Sequence, residues 1–498
     1  MTCKLLLGPL LGYEKGGFYT ISFLTKKDVK NIFVKIGDEK LEAKCLSETP
    51  NGMFFKAYLQ ITPSEEEKEI KYSIFLDNKQ AFDSSGEKNE WSFFIPSLKR
   101  EPYIIYATCN GFSSTALKNS TPDIYFLWKR MKTLHQEKHF HLMLMGGDQV
   151  YADEIWDSDK VPSLKEWLET PMEKRLKKRS TKKMKNELDG FYEALYINKW
   201  KAPEMSEMFA SIPSVMMWDD HDIFDGWGSY PQEIQNCPVY KDIFSAASKY
   251  FELFQLRGLN NKSLFRKDKK HYTFAFDFHR YSVLALDHRT QRRIDRVMDK
   301  EHWEEVINYL NKSDKKKTLL IMIGLPLVYR DFSFSEQIVD ITPWNEELTD
   351  DIKDQWRAKG HQGERLRLIM HLLKTQRERF DNNAKTVVLS GDVHIGALGV
   401  INDKKNVYPI YKVHQVISSA IVHSPPTPIQ WLGIKTITND DTEYLNEEKS
   451  IEAQMLKPVG SAKYLRTRNF SFMQWGDDDK LWINWICEWG NDAEYPLE

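Results

Sequence analysis

The chain has 498 residues, more than one hydrophobic core usually organises, so two domains are expected. Its 41% hydrophobic and 13% aromatic content excludes a disordered chain. With 70 Lys and Arg against 72 Asp and Glu, a formal net charge of -2, a general polyanion binder is excluded and no nucleic-acid partner is expected.

From Leu5 to about Pro96, short runs such as GFYTISFLT, NIFVKIGD, GMFFKAYLQI, IKYSIFLD and EWSFFIP alternate with turn residues. Period-two alternation rich in β-branched and aromatic side chains predicts antiparallel strands, hence a small all-β, immunoglobulin-like sandwich over 1–98. LLLGPLL, broken by Gly8 and Pro9, reads as the first strand rather than a leader, and no stretch is long and apolar enough to span a bilayer. The cysteines (Cys3, Cys45, Cys109, Cys237 and Cys487) are odd in number, scattered and never spaced as CxxC, which fits a reducing compartment. The expected location is therefore the cytoplasm.

From 102 to 498 strands alternate with helices, the mark of an α/β domain. YIIYAT is its first strand and leads into Cys109-Asn110-Gly111. A helix is expected from Pro122 to Lys138, capped by Thr121. The apolar run Leu142–Met145 breaks at Gly146-Gly147 and delivers Asp148, Tyr151, Asp153 and Glu154. The basic segment from Met172 to Lys185 reads as a solvated helix face. SIPSVMMW then runs into Asp219-Asp220-His221-Asp222 and an aromatic loop, Ile223 to Tyr230. After a helix around Lys241 to Leu256, the strand YSVLALD ends at Asp287-His288-Arg289, and TLLIMIGLPL ends near Gly324 and Pro326. A long helix, roughly Gly363 to Asn382, precedes TVVLSGDVHIGALG, which feeds Asp392 and His394. KVHQVISSAI and the pair FSFMQWG and KLWINWICEW close the sheet.

Four strands thus end in potential metal ligands: Cys109, Asp148 with Tyr151, Asp220 with His221, and Asp392 with His394. Ionisable groups buried at a sheet edge are costly unless paired or coordinated. The set suits a dinuclear centre, since thiolate, phenolate and imidazole favour a transition metal whereas carboxylates favour hard cations.

The motifs ATCN, GGDQVYAD, WDDHD and SGDVH, in that order, resemble the alkaline phosphatase D (PhoD-like) family of the calcineurin-like metallophosphoesterase superfamily. LALDHRTQR and DQWRAKGHQGER are similar to the same family, and the likeness runs from Pro102 to about Ala420. The resemblance implies a β-sandwich metallophosphoesterase core flanked by helices, preceded by an all-β domain. It also implies roles. Cys109 would be a thiolate ligand to ferric iron (Fe3+), Asp148 the bridge between two metals, Tyr151 a phenolate on the iron, and His394 the ligand completing that site. Asp220 and Asp392 would supply oxygen to a second site suited to Ca2+, with Mg2+ or Mn2+ as substitutes. Asp219 is counted with the ligands, the alternative being that it orients its neighbours. His221 would serve the leaving group, and Asn110 and Arg289 would contact phosphate.

The implied activity is phosphoester hydrolysis by a metal-activated hydroxide. Alternatives on the same site are a phospholipase-type diesterase and a non-catalytic metal- or phosphate-binding protein. Where the superfamily often places a further histidine, this chain has Gly324. The Ile223–Tyr230 loop and the Trp431 region are candidates for a lid that excludes large substrates. The substrate, the oligomeric state and the role of the first 98 residues stay open.

Overall fold

The computed structural model describes residues 3–157, 159–331, 354–405 and 408–497. Two antiparallel sheets use the first 95 residues. One orders Leu7–Glu14, Phe18–Thr25, Met53–Gln60 and Lys44–Glu48; the other joins Glu39–Glu42, Ile32–Ile36, Lys68–Leu76, Lys79–Gln80 and Trp91–Ile95. The alternation read from the sequence puts Leu11, Ile21, Phe23, Val34, Ile74 and Phe93 into a common core. That core does not stop at the sandwich, because Leu142 and Met216 of the following α/β region belong to the same buried cluster.

Buried charge also ties the two regions together. Lys56 and Glu14 form an ion pair with almost no exposure. Lys56 Nζ donates to Arg257 O at 2.8 Å, and the Arg257 guanidinium donates to Ser214 O and Oγ, each at 2.6 Å. Burial outweighs the pull of Glu14 and brings the Lys56 ammonium down to about 8. Lys56→Met should therefore lower stability by about 3 kcal/mol, because Glu14 would stay buried without its cation. Glu14→Gln added to it should recover part of the loss. Urea-denaturation midpoints report both, and an unmoved midpoint in the single variant would refute the assignment.

The α/β region holds two further sheets. In the six-stranded one, Ser214–Met217, Phe140–Gly146 and Tyr103–Ala107 run parallel, and Asn469–Trp475 pairs antiparallel to the last of these. Leu481–Cys487 and Ala493–Leu497 complete it. In the nine-stranded one, Tyr281–Ala285, Thr318–Met322, Thr386–Ser390 and Tyr411–Ile417 are consecutive parallel neighbours. Leu320, Met322, Val387, Leu389 and Val416 face the layer shared with the six-stranded sheet. Their alternates Leu319, Ile321, Val388 and Ile417 pack with Trp303 and Val306 of the helix Lys300–Lys312 and with Leu368 and Leu372 of the helix Gln362–Arg379. Burial on both faces explains why these strands read as unbroken apolar runs. The mixed α/β architecture with a sandwich of two sheets is the one the motifs imply.

Two local expectations are corrected. Thr121 does not open the helix before Lys138, which spans Phe126–Lys138 with Tyr125 at its start. Instead Ser114 caps an earlier short helix, Thr115–Ser120, which Thr121 closes in extended backbone, the conformation Pro122 imposes on the residue before it. The aromatic loop is no lid: Ile223, Phe224 and Trp227 are buried, and Phe224 packs edge-on against Trp156 and Tyr240. The basic stretch spreads over the short helix Met172–Arg175 and the start of the helix Lys182–Trp200, which Thr181 caps. Among the described residues no helix is long and apolar enough to cross a membrane.

Candidate metal centre

Parallel strands from both sheets deliver their carboxyl ends to one edge, where α/β sheets form ligand sites. Hydrogen bonds stitch these ends together: Cys109 N donates to Gly147 O at 3.3 Å, Asn110 N to Asp148 O at 2.7 Å, and Ile421 N to Thr108 O at 3.0 Å. Cys109, Asp148, Asp392 and His394 all sit at positive φ, between 52° and 67°. Left-handed backbone in a residue other than glycine costs of order 1–3 kcal/mol and concentrates at functional sites. It turns each side chain back over the end of its strand.

Carboxylate oxygens of Asp148, Asp219, Asp220 and Asp392 lie within 4.8 Å of one another, as do ligating atoms of Asp148, Asp220 and His221. Cys109 Sγ is 3.6 Å from Asp148 Oδ2 and receives a hydrogen bond from Thr108 Oγ1 at 3.3 Å. Cys109 packs with Tyr151, whose hydroxyl is 3.3 Å from His394 Nε2. The seven residues expected to bind metal therefore meet at one place. Burial, reinforced by like charge, pushes the carboxyls of Asp148, Asp220 and Asp392 up. Burial also raises the Cys109 thiol and the Tyr151 phenol and lowers His394. Asp148 Oδ1 is buried without a partner, and Asp220 Oδ1 meets only the Arg289 guanidinium among the described residues. Crowded, desolvated acidic oxygens with unspent lone pairs are suited to cations, which would reverse these shifts.

Asp219 stands apart from the other three aspartates. Burial pushes it up, but Arg289 and His288 outweigh that and hold its carboxyl well below the usual range. Arg289 is itself fully buried, ion-paired with Asp219, 3.3 Å from Asp220 Oδ1 and 2.6 Å from Asp354 Oδ2. Its expected contact with phosphate thus competes with three carboxylates. Asn110 is also held, its Oδ1 accepting from Trp128 Nε1 at 3.0 Å. The missing histidine at Gly324 has a neighbour in its place: a Cβ there would collide with the Asp219 carboxylate and stand 2.7 Å from His288 Nε2. His288, from the adjacent strand end, reaches over the glycine to within 3.5 Å of Asp219 Oδ1.

Three residues outside the expected ligand set support the centre. Asp153 binds His221 Nδ1 at 2.9 Å. Burial lowers the His221 imidazolium, yet the carboxylates of Asp153 and Asp220 outweigh it and raise the group well above its ordinary value. Asp222 accepts hydrogen bonds from the backbone N–H groups of Asp148, Gln149, Val150 and Asp219 and from Gln255 Nε2, at 2.8–3.1 Å. His423 stacks 3.7 Å from His394 and 5.5 Å from Tyr151, while Tyr151 stacks 4.2 Å from His221. Asp222 lay inside a motif already noted, but nothing local to the sequence marks His423.

A model of the PhoD related phosphatase family matches residues 90–346 and 344–455, well over half of the chain. The chain belongs to the PhoD related phosphatase family. The family match takes in every residue placed at the centre. A curated relative, "Uncharacterized protein YGR266W" of Saccharomyces cerevisiae, is 27% identical over 475 residues, covering 78% of this chain. The chain spans 65% of that yeast protein's length. Among solved structures, that of PhoD superposes with a TM-score of 0.62 at 12% identity, covering 99% of this chain and 89% of PhoD. The purple acid phosphatase PPD1 from yellow lupin (Lupinus luteus) seeds gives a TM-score of 0.51 at 12% identity, covering 98% and 74%. At such identities these two establish the fold, which this member of the PhoD related family shares.

Proposed function

We propose that this protein is a metal-dependent phosphoester hydrolase working at a two-cation centre. The observation that carries the reading is Asp148 Oδ1, buried without a partner among converging carboxylates next to a thiol and a phenol. Cys109, Asp148, Tyr151 and His394 would hold the softer cation, iron. Asp148, Asp220 and Asp392 would hold the harder one, calcium or a substitute such as Mg2+ or Mn2+. Asp219, committed to Arg289 and His288, orients the loop rather than lending a free oxygen. Cations held by these residues would supply neutralising charge for the phosphoryl oxygens and would acidify an attacking water. Asp153 fixes His221 through Nδ1, so Nε2 is left to donate a proton to the departing alcohol. Arg289 keeps the Asp219–Asp220 turn in place while the phosphate binds. The free thiols of Cys3 and Cys45, at accessible positions, support a reducing, cytoplasmic setting.

The test is metal analysis of the purified protein together with turnover of aryl phosphate monoesters and diesters. Bound iron with a second cation, turnover lost on chelation and restored by metal, is the expected result. His221→Gln should then slow substrates with poor leaving groups by about 10²-fold and those with good ones far less. Metal-free protein without turnover, even after loading, would refute the reading.

A further inference from the structure

Beside the metal centre lies a cleft of about 270 Å³ between the Asn110–Phe112 turn and the helix Lys182–Trp200. Its position relative to the chemistry follows from the chain. Asn110 and Gly111 come directly after Cys109, and a Cβ on Gly111 would run into the Tyr151 ring. Glu154, also in the wall, comes directly after the carboxylate that holds His221. The cleft therefore adjoins the centre on the side of the Asp153–His221 pair. Its body is apolar, with Phe112, Leu195 and Met205, and its volume suits a compact organic group rather than a polymer.

Three lysines, Lys118, Lys160 and Lys199, line the same cleft against the single carboxylate of Glu154. Lys160 is 3.6 Å from Asp159, whereas Lys118 and Lys199 form no ion pair with any described carboxylate. Lys199 is half-buried, and burial lowers its ammonium despite the nearby charge of Glu154. A partly desolvated cation without a partner is costly to keep and gains most when an anion arrives.

We propose that this cleft receives the leaving-group half of the substrate and selects phosphoesters whose alcohol carries a second anionic group on a short apolar body, with Lys199 reading that anion. The inference rests on the hydrolase reading of the metal centre. Lys199 is thus a specificity residue, not a catalytic one.

Metal-loaded protein is compared on phenyl phosphate and 4-carboxyphenyl phosphate. Separately, calorimetry measures binding of benzylphosphonate and 4-carboxybenzylphosphonate, which cannot be hydrolysed. The carboxylated member of each pair should be preferred by about tenfold, and Lys199→Met should bring both ratios close to one while Lys199→Arg keeps them. Lys118→Met, at an exposed position, serves as the second variant and should lower the ratios less. Equal handling of the two members by the unaltered protein, absent phosphonate binding, or ratios untouched by Lys199→Met would overturn the proposal. Loss of turnover on both aryl phosphates with phosphonate selectivity intact would overturn the hydrolase reading instead.

Discussion

Asp148→Asn should lower phosphoester turnover by at least about 10³-fold while the protein stays folded. Asp148 contributes to both clusters of converging ligand atoms and leaves Oδ1 unpartnered. Asparagine keeps the shape and, like aspartate, tolerates the left-handed backbone at φ 54°. It removes a charge that burial and the neighbouring Asp219 and Asp220 already disfavour. The metal-free variant should accordingly melt no lower than the metal-free parent, and the rise in melting temperature that metal gives the parent should shrink or vanish. Circular dichroism melts with and without metal, beside initial rates, separate these effects. Retained turnover would remove Asp148 from the centre, and a collapsed fold would make it a structural residue.

The second large effect is expected at Asp222, which touches none of the proposed chemistry. Asp222→Ala would strip five N–H donors of their acceptor at once, including the amides that set the backbone of Asp148 and Asp219. Each buried donor left unpaired costs about 1–3 kcal/mol, and water entering the cavity offsets part of the sum, so a loss of about 4 kcal/mol is expected. Asp222→Asn should not rescue it. Both carboxylate oxygens are in use, so an amide NH2 would point its hydrogens at other donors. Denaturant midpoints for the two variants decide the matter, and a near-normal midpoint for either would show that the loops hold their shape without this carboxylate.

How much of this was legible beforehand depends on the range of the interaction. Strand ends are encoded locally, by an apolar run closed with Gly, Asp or Cys, so Cys109, Asp148, Asp220, Asp392 and His394 could be picked out one motif at a time. The resemblance to a known family supplied their roles. Pairings across long separations left no such trace. The expectation of a phosphate contact at Arg289 gave no sign that Asp354, far along the chain, lies 2.6 Å from it. The gap at Gly324 looked like a missing ligand because the sequence could not reveal that His288 leans in from the neighbouring strand. The Ile223–Tyr230 loop was misread for a different reason. Aromatic side chains suit a flexible cover and a packed core equally well, and only contact with Trp156 and Tyr240 distinguishes them.

The left-handed turns at Cys109, Asp148, Asp392 and His394 constrain how such a centre can change over time. Backbone geometry screens any replacement before metal affinity does. Asparagine, aspartate, histidine and glycine pass that screen most easily, whereas β-branched residues meet a steric penalty at every one of the four positions. Replacement at these positions is thereby restricted to residues that tolerate left-handed backbone.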